Sequence, residues 1–194
     1  FTLEMTMAQL TKRILELDDS LTDSDKKRLL LGWGVFTVQE VYAVAARATA
    51  QQKICLIVID FADLLVGSME QSEAVMGTIY RTLSQLAVKT GTPVMLVSQL
   101  NRETYSGGLP KVNHLRYSGM AEAMSALILL LYNPHTLLAD FKEQSILPTI
   151  EGRGYLLVGK ARFGFKEGGP GAIQVDWDGC AGWGDKSHGY YRVI

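Results

Sequence analysis

Cys55-Leu56-Ile57-Val58-Ile59-Asp60-Phe61 is the stretch on which the fold turns. Five apolar residues in a row, three of them β-branched, run into a carboxylate. Pro93-Val94-Met95-Leu96-Val97-Ser98-Gln99-Leu100-Asn101-Arg102 has the same grammar, an apolar run that stops abruptly at polar residues. Unbroken runs of this length are the pattern of strands covered on both faces, as in a parallel sheet flanked by helices. In such sheets ligands bind just outside the carboxyl ends of the strands. Asp60 and Gln99 are therefore expected where a ligand would sit. A carboxylate on one strand end and an amide on its neighbour suit a nucleotide with its magnesium, because Mg²⁺ takes oxygen ligands and keeps several waters.

Helical signals separate these strands. Thr6-Met7-Ala8-Gln9 and Thr37-Val38-Gln39-Glu40 both match a capping box, in which the Thr hydroxyl and the Gln or Glu side chain reciprocally satisfy free N–H groups. The first predicts a helix continuing through Leu10, Ile14, Leu15 and Leu17. The second predicts one through Val41, Val44, Ala45 and Ala48, ending near Gln51-Gln52-Lys53. Asp18 to Lys27 is polar and reads as a loop or short helix. Glu70 to Thr90 places Val75, Met76, Ile79, Leu83, Leu86 and Ala87 at helical spacing, and Gly91-Thr92-Pro93 ends it. Thr104 to Asn113 reads as a mobile loop, Ser118 to Met124 as a short helix, Ala126 to Leu131 as a strand, and Pro134 to Thr149 as irregular or partly helical. Tyr155–Gly159 and Ala172–Trp177 flank a glycine-rich connection, Gly164 to Gly171, and read as a β-hairpin. Strands alternating with helices in the first two thirds of the chain predict an α/β fold.

A length of 194 residues suits one domain with a substantial core, and 47% apolar with 20% charged residues is a globular composition. A net charge of −1 gives no global basic field for nucleic acid, although one loop can still carry a local patch. Two cysteines are too few for a disulfide framework, so a reducing cytoplasm is expected. No apolar run reaches the length of a membrane span, and no membrane partner is expected. The chain opens at Phe1, already inside the strand-like Phe1-Thr2-Leu3-Glu4, which leads us to expect upstream sequence in the natural protein.

One string imitates a phosphate loop. Gly154-Tyr155-Leu156-Leu157-Val158-Gly159-Lys160-Ala161 has the glycine and lysine spacing, but Ala161 stands where the motif needs Ser or Thr for magnesium. The intervening residues are bulky and β-forming, whereas a phosphate cradle needs a loop. We read this string as a strand. Asp60 alone could equally cap a turn, as could Asp63. Glu4 and Gln99 alone could simply be the polar ends of strands.

Their order along the chain narrows the choice. Phe1-Thr2-Leu3-Glu4-Met5, Ile57-Val58-Ile59-Asp60-Phe61, Val97-Ser98-Gln99-Leu100-Asn101-Arg102, Leu115-Arg116-Tyr117-Ser118-Gly119 and Gly159-Lys160-Ala161-Arg162 follow one another as in replicative DNA helicases of the DnaB type. Residues 1–178 resemble that family's C-terminal motor. The resemblance implies a RecA-type, mostly parallel sheet flanked by helices with a C-terminal β-hairpin. It implies one motor domain over residues 1–194, beginning after the expected phosphate-loop strand and helix. It also implies a ring, usually a hexamer, that binds ATP with Mg²⁺ between subunits and moves along single-stranded DNA, with a primase or a helicase loader as a further partner.

Residue by residue, the resemblance makes Glu4 the carboxylate that activates the attacking water and Asp60 the acid that holds Mg²⁺ through water. Gln99 becomes the sensor of the γ-phosphate. Lys160 and Arg162 become the pair inserted into the neighbouring subunit's site, with Arg162 as the arginine finger. Its planar fork suits a phosphoryl group better than a lysine would. DNA contacts are expected from Gly67–Ser72 and from Arg102–His114, with Arg102 and Lys111 supplying charge. The chain departs from the family pattern at Tyr117, where an acidic or small residue is usual, at Met124-Ser125-Ala126, where an acidic residue is usual, and at Asp63, where an amide is usual. Two rivals remain: a recombinase- or clock-type ATPase of the same fold, and an accessory subunit of that fold without catalysis.

Overall fold

The two apolar runs lie side by side as parallel strands. A computed structural model of the chain describes residues 1–17, 22, 24, 27–34, 36–66, 72–101, 109–133, 147, 153–162, 172–178 and 190–193. They fall into two compact units, one of Phe1–Gln99 with Gly119–Met124 and one of Leu100–Ser118 with Ser125–Ile194.

In the first unit, β1 (Ile57–Ile59) pairs in parallel with β2 (Val94–Leu96), Ile57 opposite Val94 and Ile59 opposite Leu96. On the other side of β1, Thr2 bridges Asp60, and Thr2 also bridges Trp33, both in parallel. Extended backbone thus runs in the order Trp33, Thr2, β1, β2. The bonds are regular: Asp60 N–H to Phe1 O at 2.9 Å, Leu3 N–H to Asp60 O at 2.8 Å, and Thr2 N–H to Gly32 O at 2.9 Å.

The helices begin where the capping boxes predict. Helix α1 (Met7–Leu17) follows Thr6, whose N–H donates to Gln9 Oε1 at 2.9 Å while Gln9 N–H donates to Thr6 Oγ1 at 3.3 Å. Helix α2 (Val38–Gln51) has the same reciprocal pair at Thr37 and Glu40, and the Thr37 backbone N–H holds the Glu40 carboxyl below its ordinary range. Helix α3 (Glu73–Thr90) starts at Ser72 and ends at Gly91, whose φ of 63° is a left-handed cap that a side chain would strain. It packs against α2 and β2. Val41, Ile59, Met76, Ile79 and Leu86 form the fully buried centre of this unit.

Burial differs from the expectation on one point. Ile57 and Ile59 are buried, but Val58 between them is 38% exposed, as is Met95 opposite it at 47%. Each strand is therefore covered on one face among the described residues, not on both. An apolar run cannot report this, because both parities of a strand read as apolar whether or not the second face finds a cover.

In the second unit, β3 (Leu127–Tyr132), β4 (Arg153–Ala161), β5 (Ala172–Asp178) and β6 (Tyr190–Val193) form an antiparallel sheet in that order. The expected hairpin is β4 with β5, Tyr155 opposite Gln174. The sheet extends it by one strand on each side. Ile128, Leu130, Tyr132, Tyr155 and Leu157 make its core, with Leu100, Val112 and Leu115 packed against it. Helix α4 (Ser118–Met124), which from Gly119 onward belongs to the first unit, matches the short helix expected there. Gly154–Lys160 lies wholly within β4, which pairs with β5 as far as Leu157 and with β3 from Tyr155 onward, so the phosphate-loop imitation is a strand. Gly164–Gly171 lies outside the described residues, as do most of Asp18–Lys27 and Pro134–Thr149 and the first half of Thr104–Asn113. Among the described residues no helix is long and apolar enough to cross a membrane.

Candidate functional site

Asp60 is the first residue past β1, and its backbone is fully used: its N–H meets Phe1 O and its carbonyl accepts from Leu3 N–H. Its side chain is half-buried. Glu4 is the next residue after Leu3 and is exposed. On the far side, Val97 N–H donates to Ile59 O at 3.0 Å and Ala62 N–H donates to Val97 O at 2.9 Å. These two bonds fold the turn after Asp60 back onto the end of β2, two residues before the exposed Gln99. The Asp60–Phe61 peptide is cis. Glu4, Asp60 and Gln99 thus stand at the carboxyl ends of adjacent parallel segments within one unit.

This arrangement offers two carboxylates and an amide to one edge of the sheet. Among the described residues no cluster of three or more His, Cys, Asp or Glu could cage a metal by itself. That donor set fits Mg²⁺, which is commonly held by one or two carboxylates together with water and substrate phosphates. It does not fit a dedicated structural zinc or calcium site.

Lys160 and Arg162 belong to the second unit. Between β3 and β4 the register shifts: Ile128 faces Lys160 but Leu129 faces Val158, leaving Gly159 as the extra residue of a bulge. The reason for glycine is steric. A Cβ there would lie 2.8 Å from Val112 Cγ2 and 3.1 Å from Leu130 Cδ1. Past the bulge Lys160 is half-buried, and Arg162 is exposed, its N–H bonded to Ala126 O at 2.9 Å. We expect Gly159→Ala to destabilise the chain by about 1–3 kcal/mol through overpacking. Adding Val112→Ala should recover part of that loss in a denaturant titration; no recovery would mean that Val112 is not the obstruction.

Lys111 is exposed and precedes a short 3-10 helix, Val112–His114; its backbone N–H donates to His114 Nδ1 at 3.2 Å. Arg102 and residues 67–71 of the first expected DNA loop lie outside the described residues. Asp63 is not a turn cap. It is buried in the 3-10 helix Ala62–Val66, and its carboxylate makes no hydrogen bond among the described residues. Its burial was not readable from a sequence in which a polar residue follows a strand end.

Residues 24–179 match the family described as the DnaB-like helicase C terminal domain. The replicative DNA helicase DnaB of Mycobacterium leprae is 26% identical in a 161-position alignment that covers 69% of this chain and 27% of that protein. The replicative DNA helicase DnaB of Geobacillus stearothermophilus is 26% identical in a 178-position alignment that covers 77% of this chain and 39% of that protein. The chain therefore spans between about a quarter and two fifths of these relatives. A solved structure of a DnaB-like replicative helicase, studied with its interactions with primase, superimposes with a TM-score of 0.67 at 16% identity, over 91% of this chain and 48% of that one. That likeness is one of fold.

Proposed function

The chain belongs to the DnaB-like helicase C-terminal domain family, and from that premise we propose that it works as the motor domain of a replicative DNA helicase, hydrolysing ATP to move along single-stranded DNA. The observation that carries this reading is the position of Glu4, Asp60 and Gln99 just past the carboxyl ends of three adjacent parallel segments. Those ends are where α/β sheets bind ligands.

In this reading Glu4 orients a water against the γ-phosphate and takes its proton, a task that an exposed carboxylate on a fixed strand end can perform. Asp60 would hold Mg²⁺, which when bound would neutralise charge on the phosphates. Gln99 contacts the γ-phosphate by its amide. Lys160 and Arg162 act on the nucleotide of a neighbouring copy in a ring, most simply a hexamer. Lys111 and Arg102 contact the DNA backbone. A primase or a loader is a further partner of the ring, and the interaction of the structurally similar helicase with primase supports the former. The two units act as one motor domain, in the cytoplasm. The match over residues 24–179 favours this reading over a recombinase-type ATPase. It is tested by DNA-stimulated ATP hydrolysis and strand separation by the complete protein; absence of both would leave the accessory subunit as the better account.

The chain itself carries no Gly-x-x-x-x-Gly-Lys-Ser/Thr string, and the backbone cradle of such a loop is what grips the phosphates. We expect these 194 residues alone not to bind ATP tightly. Calorimetric titration giving an affinity on the order of micromolar would overturn this and return attention to Gly154–Lys160.

A further inference from the structure

The Asp63 carboxylate has no part in the site described so far, yet its surroundings are unusual. Only 8% of the residue is exposed, and neither oxygen meets a donor among the described residues. A carboxylate so placed loses its hydration without replacement, which is costly in a protein interior. Ser98 Oγ is a second such atom, buried and without a hydrogen bond of good geometry. Tyr80, on the buried face of α3, is electrostatically coupled to both: burial raises its phenol above the ordinary range, the Ser98 hydroxyl opposes that rise, and the Asp63 charge adds to it. All three residues lie in the first unit. Two hydroxyls that can each donate and accept are the kind of groups able to satisfy an anion that can only accept.

We propose that Asp63, Ser98 and Tyr80 form a buried relay between the strand ends of the candidate site. Ser98 turns between the Tyr80 hydroxyl and the Asp63 carboxylate and so ties the position of Gln99 to that of Asp60. Ser98 directly precedes Gln99, and Asp63 sits one turn after Asp60. The backbone already joins the two segments through Ala62 N–H to Val97 O at 2.9 Å and Val97 N–H to Ile59 O at 3.0 Å. A displacement of Gln99 that turns Ser98 changes whether Asp63 has a donor, and hence the stability of the turn that carries Asp60. Asp63 is a positioning residue in this scheme. The roles of Asp60 and Gln99 rest on the function proposed above; the relay itself does not.

The test is amide hydrogen exchange on the complete protein, read on peptides covering residues 60–66 and 93–99, first without nucleotide. Ser98→Ala is expected to speed exchange in 60–66, and Asp63→Ala to speed it in 93–99, each by roughly three- to tenfold, as for coupled polar neighbours. The double variant should be no faster than the faster single one. Asp63→Asn, which keeps the shape and supplies its own donors, should stay within about twofold of wild type. Effects confined to the substituted segment, effects that multiply in the double variant, or Asp63→Asn exchanging as fast as Asp63→Ala would each overturn the relay. A non-hydrolysable ATP analogue is then added. It should protect both segments in wild type but only 93–99 in Ser98→Ala; protection of both in that variant would overturn the relay. If it protects neither segment of wild type, the functional reading fails, and the nucleotide-free comparison alone decides the relay.

Discussion

Glu4→Gln in the complete motor is expected to keep ATP binding and to lower hydrolysis by a factor on the order of 10²–10⁴, the usual worth of a positioned general base. The substitution is nearly isosteric, so the expected loss isolates the carboxylate's charge. Leu3 N–H is bonded to Asp60 O at 2.8 Å, which fixes the backbone immediately before Glu4. The side chain is exposed and takes no part in the core, so folding should be unaffected. Steady-state turnover and nucleotide affinity measured on the same preparation separate the cases. Turnover within about twofold of wild type would mean that Glu4 is not the base. Loss of affinity in step with turnover would mean that its role is in binding, not in activating water.

The fold was readable in the sequence wherever a local signal has a single physical solution. The Thr6/Gln9 and Thr37/Glu40 boxes each start a helix at the residue expected, and Gly91 ends one in the left-handed conformation. The apolar runs before Asp60 and Ser98 did become parallel neighbours. Tertiary choices were less legible. The exposure of Val58 and Met95 depends on what covers a face, and periodicity cannot supply that. Strand β6 sits at the end of a polar, glycine-rich tail whose Tyr190-Tyr191-Arg192-Val193 is too short to announce itself. The bulge at Gly159 required knowledge of Val112 and Leu130, distant in sequence and near in space. The candidate site divides the same way. Asp60 and Gln99 stood out as polar residues ending apolar strands, a pattern with a physical reason. Glu4, Lys160 and Arg162 drew meaning only from the family resemblance, because a charge at a strand end is ordinary. Asp63, Ser98 and Tyr80 come together only in the folded chain.

Arg162→Ala in the complete ring is expected to abolish DNA-stimulated hydrolysis, with a loss approaching the roughly 10³-fold worth of an arginine finger, while ATP affinity and ring formation change much less. The expectation follows from acting in trans: such a group stabilises charge on a neighbour's transferring phosphoryl group and leaves its own subunit's nucleotide untouched. Its place suits the task. Arg162 is exposed at the end of β4, and its N–H is held by Ala126 O at 2.9 Å, so the strand presents it on a fixed backbone. Subunit mixing is the sharp test. Arg162→Ala subunits mixed with Glu4→Gln subunits should regain partial activity, because some interfaces then join an intact Glu4 to an intact Arg162. If native mass spectrometry shows mixed rings and no ratio gives activity, then either the assignment in trans is wrong or every interface must fire. Dilution of wild type with each single variant separates these. Activity falling in proportion to the variant fraction points to the wrong assignment, and a much steeper fall points to concerted firing. If Arg162→Ala alone leaves turnover intact, the residue is a solvated strand end, and the charge on the phosphoryl group must be met by another cation, with Lys160 the first to test.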